Sequence, residues 1–474
     1  MRLPFFSTLL FALLLLSGCA GLIRTPYHRP DVELPPQWEH GGDNTRATED
    51  RWWTAFNDPA LDRLVAEALE RNTNLAIAAL RVRQAQLRAE QADSNRLPSL
   101  KVEAGASHSR NLSRHSQTTD TFSTSIFSSY QTDLWGELAN TSDAARWEAL
   151  ATEDDLANTA LALTGATATL YWQIGYFNQR IALGRESIAY AHRVLELVQV
   201  RKEAGAATAL EILEAERNVA SQEANQTTLI QQRVEAINEL AVLFDGPPKS
   251  LAPAELDTLG GIHLPDVAEG LPAHLLARRP DVRAAEARLR AALADTDATR
   301  ASFYPSITLS GSLGASSKEL SRIVKDPVGT LAANLALPFV QWRDMRRSID
   351  ISETEYEQKV IAFRQTLYSA LAEVENGLSA RQQYREQADK LERNLGMARQ
   401  TEELYRIRYQ AGANPLKSWL DAQQNQRQAE VEVAANQFNQ LMNHVALIKA
   451  LGGGFNDPAG VLKESAAARI DVDK

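Results

Sequence analysis

The sequence predicts an α+β chain duplicated in tandem, with very long helices alternating with pairs of short strands. Three observations carry that prediction. First, the phrase "VRKEAGAATALEILEAERN" (Val200–Asn218) returns as "IRYQAGANPLKSWLDAQQN" (Ile407–Asn425). Second, the landmarks Pro98/Pro305, Trp135/Trp342 and Gly205/Gly412 hold one register, each pair 207 residues apart (412 − 205 for the last). Third, the hydrophobic period switches between three-to-four and two at matching places in both halves. A fixed offset kept over such a distance means duplication, here Asp58–Asp245 and Gly270–Gly453.

Each half opens on a helix. In the first it is "PALDRLVAEALERNTNLAIAALRVRQAQLRAEQADSNR", with Asp58 as cap and Pro59 at the start. In the second it is "DVRAAEARLRAALADTDATRAS". Both are rich in Ala, Leu, Arg, Glu and Gln, the strong helix formers. Two alternating runs follow. Leu100, Val102, Ala104 and Ala106, then Phe122, Ile126 and Tyr130, alternate with polar residues in the first half. Ile307, Leu309 and Leu313, then Leu331, Ala333, Leu335 and Leu337, do so in the second. Each run predicts a strand with one apolar face, close to the length of about 9–11 residues that crosses a membrane.

A very long helix then starts near Trp135 or Trp342 and ends before Gly205 or Gly412. At a 1.5 Å rise, about 70 residues span on the order of 100 Å. Tyr356, Val360, Phe363, Leu367, Leu371, Val374 and Leu378 mark its packing seam in the second half. A last helix follows each glycine. These lengths predict a cylinder wall of paired long and short helices, with strands at one end and the glycine turns at the other.

The ends of the chain read differently. "MRLPFFSTLLFALLLLSGCA" has an early Arg2 and an apolar run too short to span a membrane, the pattern of a secretory signal. Leu16-Ser17-Gly18-Cys19 matches a bacterial lipobox. The expected organisation is a signal over 1–18 and an extended segment over 19–57 starting at a lipidated Cys19. The repeats 58–245 and 270–453 follow, with a linker over 246–269 and a poorly ordered tail over 454–474. The acyl chains on Cys19, an N-acyl and an S-diacylglycerol group, would anchor the chain stably. No other cofactor is expected.

The composition limits the function. The chain is 44% apolar and 23% charged, so it is expected to be ordered, and its net charge of −10 argues against a nucleic-acid partner. No P-loop, H-E-x-x-H or nucleophile elbow occurs, so no enzyme is expected. His108 and His115 fall in a predicted outer loop, and the eight histidines show no ligand spacing. Four strands cannot close into a barrel, and open edges are too costly in lipid. Either several chains share one barrel, with three giving twelve strands, or the strands form a small sheet in water.

The stretches "RTPYHRPDVELPPQW", "WWTAFNDPALDRLVAEAL", "DLWGEL", "LLARRPDVRAAEARLRAA", "YPSITLSG" and "LDAQ" resemble the lipoprotein, OprM/NodT-like branch of the TolC-type outer-membrane factors, over nearly the whole chain. The resemblance implies a trimer with a twelve-stranded β-barrel in the outer membrane and a long periplasmic α-helical barrel. It implies a periplasmic adaptor and an inner-membrane pump of the resistance-nodulation-division class as partners. Together they would expel drugs or other toxic small molecules. A duct for type I protein secretion and a structural lipoprotein without a pore are the alternatives.

On this resemblance the repeated phrases are periplasmic tips that dock the adaptor, built on Gly205, Thr208, Gly412, Asn414 and Pro415. Pro415 suits the first turn of the returning helix. Asp421 matches the family's constriction aspartate, and Glu214 is its repeat partner. Tyr409 and Glu211 resemble the tyrosine–carboxylate link between inner and outer helices. Asn414 stands where an arginine is expected, Ser418 where a second aspartate is, and Lys417, four residues before Asp421, is in reach to pair with it.

Overall fold

The computed structural model describes residues 23–41, 51–112, 118–248, 255–267, 270–320, 325 and 327–453. Cys19, His115 and the tail lie outside the described residues.

The elements repeat. After α1 (Pro59–Arg71) come α2 (Thr73–Ser94), β1 (Ser99–Arg110), β2 (Thr118–Thr132), α3 (Glu137–Glu203) and α4 (Ala209–Leu243). The second copy runs α5 (Pro280–Ser302), β3 (Ser306–Ser317), β4 (Pro327–Ala336), α6 (Trp342–Gln410) and α7 (Leu416–Ala450). α4 and α7 keep the 207-residue offset at both ends. The predicted opening helix is divided at Asn72. Asp58 caps α1 by accepting from the amides of Ala60 and Leu61. Asn72 takes an extended backbone (φ −66, ψ 124). Its Oδ1 accepts from the Leu75 amide (3.0 Å) to start α2, and its Nδ2 donates to the Leu243 carbonyl (2.8 Å) at the end of α4. A side chain that competes with the backbone breaks a helix that composition alone would continue.

Two compact units result, and α3 and α6 supply residues to both. The first holds residues 80–154 and 283–366 with the described N-terminal residues up to Val32. Its sheet is antiparallel in the order β1-β2-β3-β4. The register pairs Val102 with Ile126, Ile126 with Leu313, and Leu309 with Ala333. Paired residues share a face. One face therefore carries Leu100, Val102, Ile126, Tyr130, Leu309, Leu313, Leu331 and Leu335. The other carries Lys101, Glu103, Ser107, Ser125, Ser129, Ser312 and Asn334. The apolar face is uncovered, with Leu331 93% and Leu100 72% exposed. Leaving such a face in water forgoes about 1.5–3 kcal/mol for each large side chain. β1 and β4 are open edges. His108 lies in β1, opposite Asp120, and not in a loop, because the strand is longer than the apolar alternation.

Below the sheet, Ala151, Ala284 and Ala287 form a small-residue layer against Trp147. Residues 24–29 lie along it, held by Thr25 to Asp297 and by Tyr27 and Arg29 to Glu286.

The second unit holds residues 33–79, 155–282 and 367–453 of the described chain. The predicted seam is its core: Leu367, Val374 and Leu378 are buried, as is Trp172 from α3. Arg279 is buried there and paired with Asp281 and Glu373. Among the described residues no helix is long and apolar enough to cross a membrane.

Candidate functional site

The two tips are built alike at the turn and differently just after it. α3 ends in a Schellman-type turn in which the Ala206 amide donates to the Arg201 carbonyl (2.7 Å) and Gly205 to Lys202 (3.0 Å). α6 ends the same way, Ala413 to Arg408 (2.8 Å) and Gly412 to Tyr409 (2.9 Å). Both glycines have φ +74, the left-handed region that a side chain resists. Thr208 then opens α4 with a capping box. Its amide donates to Glu211 Oε2 (2.7 Å), and the Glu211 amide donates to Thr208 Oγ1 (3.3 Å). At the matching position α7 has Pro415, with no side-chain cap. Pro415 is the N-cap and not a first-turn residue, because its ψ of 153 is extended. Asn414 lies in the turn before it.

The expected Tyr409–Glu211 link is not a hydrogen bond in this chain, although the Glu211 charge, after burial, helps to raise the Tyr409 pKa. Glu211 is committed to its capping box. Tyr409 is 1% exposed, and its hydroxyl has no hydrogen-bond partner among the described residues. Its ring is held instead by Trp419 (centroids 5.3 Å apart) and by the Arg201 guanidinium at 4.5 Å. Arg201 Nη1 also donates to the Tyr409 carbonyl (2.9 Å).

A tyrosine–carboxylate link does exist, on other residues. Tyr190 of α3 donates to Glu402 Oε1 of α6 (2.9 Å), and Trp419 Nε1–H of α7 donates to the same oxygen (2.7 Å). One carboxylate, 8% exposed, thus ties three helices. Burial, with Glu402 beside it, pushes the Tyr190 hydroxyl up to about 12. Val194, Val198, Ala215 and Leu416 pack around this group. The sequence held a signal for it: Leu395, Glu402 and Tyr409 are buried seven residues apart on α6. A carboxylate in an apolar heptad position asks for a partner.

Lys417 and Asp421 pair, Nζ to Oδ2 at 2.9 Å, on an exposed face of α7. Glu214 is half-buried on α4 and forms no ion pair among the described residues. Val200, Leu210 and Leu213 leave apolar side chains exposed at the first tip, as Leu404 and Ile407 do near the second.

Among the described residues one histidine cluster has metal-ligand proximity: Glu39, His40 and Glu375. The Glu375 carboxylate there already accepts from the amides of Glu39 (3.2 Å) and His40 (3.0 Å) and from the imidazole. It serves as an anchor for the N-terminal segment.

Comparison with known proteins places this geometry. Residues 64–244 and 271–453 match the family model described as outer membrane efflux protein, once per repeat. The pyoverdine export outer membrane protein OpmQ of Pseudomonas aeruginosa is 33% identical over 470 residues, 96% of this chain and 98% of that protein. The toluene efflux pump outer membrane protein TtgC of Pseudomonas putida is 30% identical over 475 residues, 96% of each. A crystal structure of CusC, studied for folding and transmembrane channel formation, superposes with a TM-score of 0.82. It is 27% identical, over 91% of this chain and 99% of that one.

Proposed function

The chain belongs to the outer membrane efflux protein family, and from that premise we propose that three copies form the exit duct of a tripartite pump. The uncovered apolar face of the sheet carries this reading. Four strands with two open edges are a third of a twelve-stranded barrel, and lipid would cover the leucine face while the serine and threonine face lines water. The paired tips would close the periplasmic entrance and dock an adaptor, whose apolar contacts Val200, Leu210 and Leu213 await. An inner-membrane pump would supply the cargo. Small organic molecules are the cargo class, in keeping with relatives named for pyoverdine and toluene export. Lipid on Cys19 would hold the chain to the outer membrane. Mass spectrometry of the N-terminal peptide, native against Cys19→Ser, tests that: an unmodified native peptide refutes it.

Three copies would place three Lys417–Asp421 pairs and three Glu214 carboxylates about the entrance. Because each Asp421 has a counter-ion, the cation preference falls to Glu214. Single-channel recording of purified lipidated protein in a planar bilayer tests the duct. A small cation-preferring current is expected, rising in Asp421→Ala while its cation preference falls, since Lys417 is then unpaired. A current indifferent to that change removes the pair from the entrance. A monomer without conductance would sink the channel reading.

A further inference from the structure

A cavity of about 610 Å³ lies among α3, α4 and α7 of the second unit, within the range of small-molecule sites, about 300–1,000 Å³. Its charge is unusual for a chain with a net charge of −10. Two guanidiniums line it, Arg180 and Arg427, and among the described residues neither forms an ion pair with a carboxylate. Arg180 Nη1 donates to the Tyr176 hydroxyl (2.7 Å), with its guanidinium 5.5 Å from that ring's centre. Arg427 Nη2 donates to Gln424 Oε1 (2.9 Å) and, at longer range, to Asn218 Oδ1 (3.5 Å), and its Nε is buried with no acceptor among the described residues. Burial holds the Arg427 pKa below its ordinary value.

The one lining carboxylate, Glu430, accepts from Arg399 (3.2 Å) and Gln426 (3.2 Å); its charge also acts on Arg427, though without an ion pair. Gln226 is only 8% exposed. Its Nε2 donates to the Ile181 carbonyl (3.2 Å), which leaves Oε1 buried without a donor. Phe177, Leu229 and Val431 supply an apolar side to the same cavity. Half-buried cations with idle donors, beside an apolar wall and an acceptor in want of a hydroxyl, describe one kind of guest.

We propose that this cavity is a binding site for an aromatic organic anion that also bears hydroxyl groups. Its carboxylate sits between Arg427 and Arg180, its hydroxyl donates to Gln226 Oε1, and its ring lies against Phe177 and Leu229. The site belongs to the helical wall and does not depend on the channel reading. A chain can bind such an anion whether or not it conducts.

The probe is 6-carboxyfluorescein in mildly acidic buffer, where its phenol keeps a proton beside the carboxylates, set against rhodamine 123, a cationic dye on the same ring system whose carboxyl is a methyl ester. Fluorescence anisotropy is measured on the full-length lipidated protein in detergent. Saturable binding of carboxyfluorescein, weakening with salt, and none of rhodamine 123, is expected. Arg427→Gln should weaken it by about tenfold or more, the loss of a charge-assisted hydrogen bond. Arg180→Gln should do the same, and because Arg180, unlike Arg427, has no buried unpartnered nitrogen it serves if Arg427→Gln fails to assemble. Each variant is checked for unchanged oligomeric state and thermal unfolding. Equal binding of the two dyes, binding undiminished in a folded arginine variant, or no saturable binding of carboxyfluorescein would overturn the proposal. The last result would make the groove a seat for a neighbouring helix.

Discussion

Replacing Tyr190 with Phe should loosen the tip, while replacing Tyr409 with Phe should not. Tyr190→Phe removes one oxygen and keeps the ring against Trp419, 6.3 Å away and edge-on. What is lost is the 2.9 Å hydrogen bond to the Glu402 carboxylate. Bonds to charged groups contribute about 1.5–3 kcal/mol, and the half-buried position of Tyr190 argues for the lower figure. About 1.5 kcal/mol is roughly a tenfold change in the local equilibrium between α3 joined to α6 and α3 released. Trp419→Phe should cost as much or more, since its 2.7 Å bond is buried. The double variant should cost more than the sum of the two, because either donor alone still satisfies the shared oxygen and losing both leaves it buried without a donor. Tyr409→Phe deletes a hydroxyl with no partner among the described residues, so its effect should be near zero or slightly stabilising. Hydrogen exchange of α3 and α6 amides near Tyr190 and Glu402 reads the local opening, and bilayer recording reads the leak. Wild-type exchange and leak in Tyr190→Phe, beside a leak in Tyr409→Phe, would refute this assignment and restore the Tyr409–Glu211 link.

Three further outcomes follow from the geometry. Gly205→Ala and Gly412→Ala should each destabilise by about 1–2 kcal/mol, and by equal amounts, because both have φ +74 and open space around the missing Cβ; chemical denaturation checks this, and unequal costs would show the two glycine turns themselves to be unlike. His444, buried against Phe56 and 3.3 Å from Arg381, is pushed down to about 3 by burial and by that guanidinium. Its folded pKa lies below its unfolded value of about 6.5, so its contribution is complete above pH 6.5 and is lost as pH falls toward 3. The loss reaches about 2 kcal/mol per chain at pH 5. His444→Gln should flatten the stability–pH curve between pH 6.5 and 4 by up to one proton, and a curve of unchanged slope would count against a buried neutral imidazole. Asn72→Ala should cost about 1–2 kcal/mol by uncapping α2 and stranding the Leu243 carbonyl, seen as a lower thermal midpoint.

Periodicity made most of the fold legible. The 207-residue offset foretold the paired elements, and alternation foretold which strand residues share a face. What it missed were side chains acting against local propensity. Nothing in the composition around Asn72 says that its amide will reach Leu243 in another helix. The Glu402 link was missed for a different reason. Resemblance pointed to Tyr409 because a tyrosine stands there, but the partner of a buried hydroxyl depends on helix rotation that spacing does not fix. Glu211 was unavailable for a local reason that was written in the sequence: Thr208 three residues before it is a capping box.

That capping box is where the two repeats part company. The first tip is stabilised by its own residues, Thr208 and Glu211. The second has Pro415 and Ser418 at the matching places and no side-chain cap, so its helix start depends on packing by Leu416 and Trp419 and on Glu402. A tip held by distant contacts is released when they break, whereas a self-capped tip stays formed. In the proposed duct the second hairpin is therefore the one expected to move, with one self-capped copy and one uncapped copy of the same element. Grafting the first tip's chemistry onto the second tests this. Pro415→Thr with Ser418→Glu should add a capping box worth about 1–2 kcal/mol, less about 0.4–1 kcal/mol for the lost proline. A net gain near 1 kcal/mol should slow exchange at the start of α7 and lower the leak, without moving exchange at α4. If both tips, or neither, responded to the graft, the asymmetry between the repeats would not be what governs opening.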